Sequence, residues 1–163
     1  MRDPSKTRQA QMRELASLRE RIAELEQAHL QYRQMEERLR SSEERLRGIV
    51  ENAQSGYFFI DRDGIYRKVN EAWLRMHQYD SPGEIIGRHY SVTQVDADLG
   101  KAKRVVEGLL AGDPIPTGEF SRLCKDGSIG YHTFSASPVF SDHELVGLEG
   151  FLTDITENKK TLD

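Results

Sequence analysis

The chain has 163 residues, 37% hydrophobic and 31% charged, with a net charge of −4, enough for one globular domain with its own core. A mildly acidic chain with no basic block gives no electrostatic case for nucleic acid, and its single cysteine, Cys124, excludes an internal disulfide or a cysteine zinc site. No apolar run approaches the roughly 18 residues that span a bilayer.

The charged N-terminus lacks the apolar segment of a secretory signal. The sequence therefore reads as cytoplasmic, with Met1 as a native start. Charge is unevenly divided: 11 Lys/Arg face 9 Asp/Glu up to Gly48, and 12 face 18 after it. Residues 1–8 read as a flexible start. Between Pro4 and Gly48 there is no Gly and no Pro, so strong helix formers predict a helix of about 65 Å. Leu15, Leu18, Ile22 and Leu25 recur at spacings of three and four. The stripe then resumes one step out of phase through Leu25, Ala28, Tyr32, Met35, Leu39, Ser42, Leu46 and Ile49. That hop is a three-residue insertion, a stammer, which overwinds a coiled coil locally. Glu36 with Arg40, and Glu43 with Arg47, have the spacing of favourable pairs on a helix surface.

A helix this long cannot bury its own stripe. A parallel dimeric coiled coil is expected over residues 9–41, with Leu15, Leu18, Ile22, Leu25, Tyr32, Met35, Leu39 and Leu46 at or continuing its seam. The alternative is a single solvated helix. Ser41-Ser42-Glu43-Glu44 has capping-box spacing, so the helix can restart there, and a globular domain is expected over residues 42–155.

Gly56-Tyr57-Phe58-Phe59-Ile60 is an aromatic strand, Asp61-Arg62-Asp63-Gly64 a turn, and Ile65 to Val69 the second arm of a hairpin. Asn70 can cap a helix over Glu71 to Gln78, which carries Trp73, Leu74 and His77. After Ser81-Pro82-Gly83, Glu84 to Gly87 reads as a short helical turn, and Asp96 to Ala111 as an amphipathic helix. Three strands follow: Gly118 to Cys124, Ser128 to Phe140 and Leu145 to Thr153. This order predicts an α+β domain, one antiparallel sheet with its helices on one face. At the end, Asp154-Ile155-Thr156-Glu157 has the spacing of a capping box, so the last strand passes straight into a helix over residues 156–163.

Four landmarks in this order resemble a PAS (S-box) sensory domain: the aromatic strand ending in Asp61 with its Asp-Gly turn, Asn70-x-Ala72-Trp73, Lys125-Asp126-Gly127, and Asp154-Ile155-Thr156. The resemblance covers residues 42–160. It implies a five-stranded antiparallel sheet cupping a small pocket, with short helices on one face and, here, a long N-terminal helix. Domains of this family usually sit within sensor kinases, cyclases or transcription regulators.

Period-two alternation puts His132, Phe134 and Ala136 on one face of their strand, which the resemblance turns towards the pocket. By the same argument Phe58 and Ile60, Phe120 and Arg122, and Gly150 and Leu152 point inward, and Trp73 joins them from the helix. A lining so rich in Phe and Leu mostly means a packed core. Arg122 and His132 could hold an anionic ligand such as a small organic acid, because a buried guanidinium needs a partner; otherwise Arg122 reaches solvent or pairs with Glu119 or Asp126.

The resemblance also bears on cofactors. The family's flavin photoreceptors carry Gly-Arg-Asn-Cys where this chain has Gly87-Arg88-His89-Tyr90, which argues against adduct photochemistry. Its haem binders take a histidine from the long helix, and Asp96 to Ala111 has none. Non-covalent flavin, with Trp73 stacking on it, and a small organic acid stay open, so the cofactor is unknown. Histidines 29, 77, 89, 132 and 143 lack metal-ligand spacing, and no catalytic motif is present.

The sequence therefore predicts a non-enzymatic sensory module. It would be a homodimer through its coiled coil, with a small molecule as candidate ligand. Asp154, Thr156 and Glu157 would relay the pocket's state to an output domain or partner signalling protein. No nucleic acid or membrane is involved in this reading. The alternatives are a ligand-free adaptor working through protein contacts and the sensor part of a larger enzyme such as a histidine kinase or cyclase.

Overall fold

The computed structural model describes residues 4–114 and 118–161. It divides into two units, residues 1–47 and 48–163. The helix α1, Pro4–Glu51, runs unbroken through Ser41-Ser42-Glu43-Glu44 and buries none of its residues. Helix propensity on both sides of the serines thus outweighs the local capping signal. Part of the expected flexible start lies outside the described residues; from Pro4 onward the chain is helical. Every apolar residue of the expected seam is exposed, from Leu18 at 51% to Met35 at 69%. Arg40 turns to Glu37 (3.3 Å) and Glu44 (3.9 Å) instead of to Glu36. Such exposed pairs contribute little.

In the second unit, β1 (Gly56–Asp61) and β2 (Tyr66–Val69) form the hairpin. Its turn needs Gly64, which has φ +78 and whose Cβ would stand 2.7 Å from the His89 ring. Helix α2, Glu71–His77, follows at once. Asn70, 1% exposed, starts it by accepting from Trp73 N (2.9 Å). Its other bonds, to Tyr57 N, Val50 O and Ser55 O, tie the end of α1 and the start of β1 to the same side chain. Pro82–Glu84 is a 3-10 turn, slightly earlier than expected, because Pro82 takes its first position. A further turn at Tyr90–Thr93, absent from the sequence reading, is capped by His89 Nδ1, which accepts from Ser91 N. Helix α3, Leu99–Leu110, is preceded by a 3-10 turn at Asp96–Asp98.

Strands β3 (Phe120–Leu123), β4 (Ile129–Ser141) and β5 (Glu144–Asp154) complete an antiparallel sheet in the order β2-β1-β5-β4-β3. The closing strand therefore lies at the centre, between β1 and β4. Pro138 is tolerated in β4 because β3 pairs only with residues 129–132 and leaves that stretch of edge uncovered. Ile60, Leu148 and Leu152 pack with Trp73, Leu74 and Leu109 on the covered face; each such burial contributes about 1.5–3 kcal/mol. Phe151 (37%), Ile129 (47%) and Phe140 (62%) stay exposed.

The exit helix α4, Thr156–Lys160, differs from the capping-box expectation. Ile155, not Asp154, holds the N-cap position, and no side chain caps it. Asp154 remains on β5, and its Oδ1 accepts from Thr156 N (2.9 Å) and Thr156 Oγ1 (2.6 Å). The aspartate thus closes a turn two residues long, while its other oxygen accepts from Arg122.

Candidate functional site

Between the sheet and helices α2 and α3 lies a cavity of about 90 Å³. Phe58 and Ile60 from β1, Trp73 from α2, Phe120 from β3, His132 and Phe134 from β4, and Leu152 from β5 all line it. Gly150 is buried but does not line it; it lies against the backbone of Ser135. The sequence reading missed His77, Tyr66, Tyr90 and Thr93, and the α3 residues Val105, Val106 and Leu109. The valines and leucine were legible as the apolar face of a helix. His77 had a fainter signal, four residues after Trp73 and so on the same helix face.

Trp73 is fully buried. His77 stacks on it with centroids 3.8 Å apart, and Tyr66 meets it edge-on at 5.1 Å. His77 Nδ1 lies 2.9 Å from Trp73 O; a carbonyl only accepts, so Nδ1 carries the proton and Nε2 the lone pair. Burial lowers the pKa of His77 to about 3 and that of His132 to about 4, with the nearby Arg122 charge adding to both shifts. Both rings are neutral at pH 7. Tyr66 OH donates to Thr93 Oγ1 (2.8 Å), which in turn donates to Tyr90 O. Two buried polar atoms among the described residues have no partner, Trp73 Nε1 and His132 Nδ1.

Arg122 is the exception among the expected lining residues. It is 3% exposed, but its donors are taken by the protein: Nε by Met76 O (2.9 Å), Nη1 by Tyr131 O (2.9 Å) and Nη2 by Asp154 Oδ2 (2.6 Å). It neither lines the cavity nor pairs with Glu119 or Asp126, so the expected anion-holding pair with His132 does not form. Glycine at 130, its cross-strand neighbour, makes room: a Cβ there would stand 2.5 Å from the guanidinium carbon. Asp154 is pushed up by burial, but Thr156 and Arg122 outweigh that and hold its carboxyl below the usual value.

Thr156 Oγ1 accepts from Tyr131 N (2.9 Å), and Ile155 N donates to Tyr131 O (3.0 Å). Glu157 lies exposed in the first turn of α4, where its carbonyl accepts from Thr161. One guanidinium thus joins the end of α2, the start of β4 and the exit of β5. His132 stands beside this junction: it pairs across the strands with Phe120 of the cavity wall on one side and with Asp154 on the other.

The family's larger cofactors do not fit. Pockets for ligands of drug size hold about 300–1,000 Å³, far above 90 Å³, and the Trp73 ring face that would stack on a flavin is taken by His77. Gly87-Arg88-His89 is a loop hydrogen-bonded to β2, with Tyr90 starting the next turn. No cluster of three metal-ligating side chains occurs among the described residues, and none of their helices is long and apolar enough to cross a membrane.

The profile of the PAS domain family matches residues 54–157. No curated protein matches the chain significantly. Among solved structures, the chain is similar to the PAS domain of a protein from Colwellia psychrerythraea, with 23% identity and a TM-score of 0.64 over 70% of this chain and 97% of that one. A domain of a sensory box sensor histidine kinase/response regulator from Geobacter sulfurreducens gives 23% identity and 0.60 over 71% and 96%. The LOV domain of a blue-light activated histidine kinase from Erythrobacter litoralis gives 18% and 0.55 over 64% and 99%.

Proposed function

The chain belongs to the PAS domain family, and on that premise we propose that it is a non-enzymatic signalling module that reports the state of its cavity through the strand-to-helix exit. One observation carries the reading. His132 is a wall of the cavity and the cross-strand partner of Asp154, whose carboxylate holds Arg122 and the first residue of α4. A shift of the His132 ring therefore meets the ion pair that sets the direction of α4, a two-state element of the kind a ligand can bias.

The seam of α1, exposed along its length, supports a second copy of the chain as its partner, since a stripe at this spacing is buried by an identical helix. Similar domains from sensor histidine kinases support the same role for this one, with the output being a kinase or cyclase-type domain. A ligand-free adaptor draws some support from Phe140 and Ile129, exposed on the sheet. The test is amide exchange at Ile155 and Thr156 in the full chain carrying Asp154→Ala. The relay predicts exchange at least about tenfold faster there, with β1 unchanged. Unchanged exchange at Thr156 would sink the relay and leave the adaptor.

A further inference from the structure

The geometry points to a small, uncharged, planar ligand with one hydrogen-bond acceptor and one donor, of about five heavy atoms, bound between Trp73 and His132. This rests on the cavity being the sensory site and adds the chemistry of what it takes. Size is the first argument. An apolar cavity of about 150 Å³ admits benzene, so about 90 Å³ suits a five-membered ring.

Polarity is the second. Trp73 is fully buried and His132 is 7% exposed, both line the cavity, and Trp73 Nε1 and His132 Nδ1 have no partner in the protein. Leaving such atoms unmet is costly, because their desolvation is not repaid. The indole N–H can only donate, so the ligand must offer it an acceptor. A neutral imidazole carries its proton on one nitrogen only, so with the His132 proton on Nε2 the unpartnered Nδ1 is an acceptor, which calls for a donor on the ligand.

Charge is the third. No Asp, Glu, Lys or Arg lines the cavity, and the cations beside its wall are engaged, Arg122 by Asp154 and two carbonyls and Lys101, over the Phe120 ring, by Glu119 O. An ion would lose its hydration there with nothing to replace it. A small organic acid is thereby excluded, and a neutral azole or cyclic amide takes its place.

The chain has one tryptophan, so a single indole N–H resonance reports on Trp73. The full-length protein at neutral pH is titrated with pyrazole, with cyclopentane as an apolar match in size, and with acetate. Pyrazole should move that resonance downfield and saturate; cyclopentane should enter without the downfield shift; acetate should do neither. His132→Phe should weaken pyrazole about tenfold, the loss of one hydrogen bond, and leave cyclopentane unchanged. Cyclopentane binding with no pyrazole shift would overturn the inference while leaving the cavity as a ligand site, and acetate binding as tightly as pyrazole would overturn it too. If no probe binds, the ligand reading falls with it, whereas the exit relay stands or falls on its own exchange measurement.

Discussion

Helix α1 and the sheet domain treat the same side chains in opposite ways. Leu18 and Leu25 of α1 are 51% and 64% exposed, whereas Leu148 and Leu152 of β5 are 1% and 6% exposed. A sheet can fold a helix over its apolar face, but a straight helix cannot fold its stripe onto itself. Burial in the domain is therefore a property of one chain, while burial of the α1 seam needs a second one and depends on concentration.

The sharpest way to break this comparison is to charge the seam. In the proposed coiled coil, Leu25→Asp with Leu39→Asp would remove two seam leucines from each of two helices, and burying a leucine contributes about 1.5–3 kcal/mol. The dissociation constant should rise at least about a thousandfold, with the light-scattering mass falling to that of a monomer. Thermal unfolding of the domain, read from Trp73 fluorescence, should not move. A monomeric parent chain at tens of micromolar would end the coiled-coil reading.

Acid should separate the two regions next. His77 and His132 titrate at about 3 and about 4 in the fold, against 6.5 for a free histidine. The unfolded chain therefore takes up protons first, so their full contribution is present above about pH 6.5 and is lost as pH falls towards 4. The domain should lose roughly 2–4 kcal/mol between about pH 7 and pH 5, measured by urea unfolding at each pH. Because α1 buries nothing, its helicity should show no matching loss.

Much of this domain was legible because period-two and period-3.6 patterns depend on which face is buried, and here one face of each strand is. The hairpin and Asn70 as a cap follow from turn and capping residues, while alternation groups His132 with Phe134 and Phe58 with Ile60, and the resemblance turns those groups inward. Arg122 shows where the pattern stops. Alternation puts it on the face of Phe120 and the resemblance turns that face inward, but its partner lies 32 residues on at Asp154, and no local spacing encodes a bond across two strands. Asp154, which takes that bond, is also not the helix cap that its spacing suggests; Ile155 holds that position. The cavity's volume was illegible for a related reason, since it depends on the stacking of His77 on Trp73 and not on residue type.

Arg122→Met tests that long-range bond. It takes one donor each from Asp154 Oδ2, Met76 O and Tyr131 O, the last of which keeps Ile155 N. Removing one partner of a buried pair costs about 3–5 kcal/mol, but the Asp154 side chain is 42% exposed and water can take over, so about 2 kcal/mol is expected. Urea unfolding measures it. A change below about 0.5 kcal/mol would mean that the guanidinium is not holding the exit of β5.

Gly130→Ala is the mildest intervention and the most specific. It adds one methyl, on β4, at a position with no bond to α4 or to the cavity, and it meets the guanidinium carbon of Arg122 at 2.5 Å. The arginine must shift, and overpacking of this kind costs about 1–3 kcal/mol; the lower end is expected because a long side chain yields more easily than backbone. The larger consequence should be local. If Arg122 links the sheet to α4, the amides of Ile155 and Thr156 should exchange faster in Gly130→Ala than in a control such as Gly83→Ala, whose Cβ would come no closer than 3.9 Å to its nearest neighbour, Ser81 Oγ. Equal exchange in the two variants would show that α4 is set by Asp154 and Thr156 alone, with the guanidinium a buried bystander.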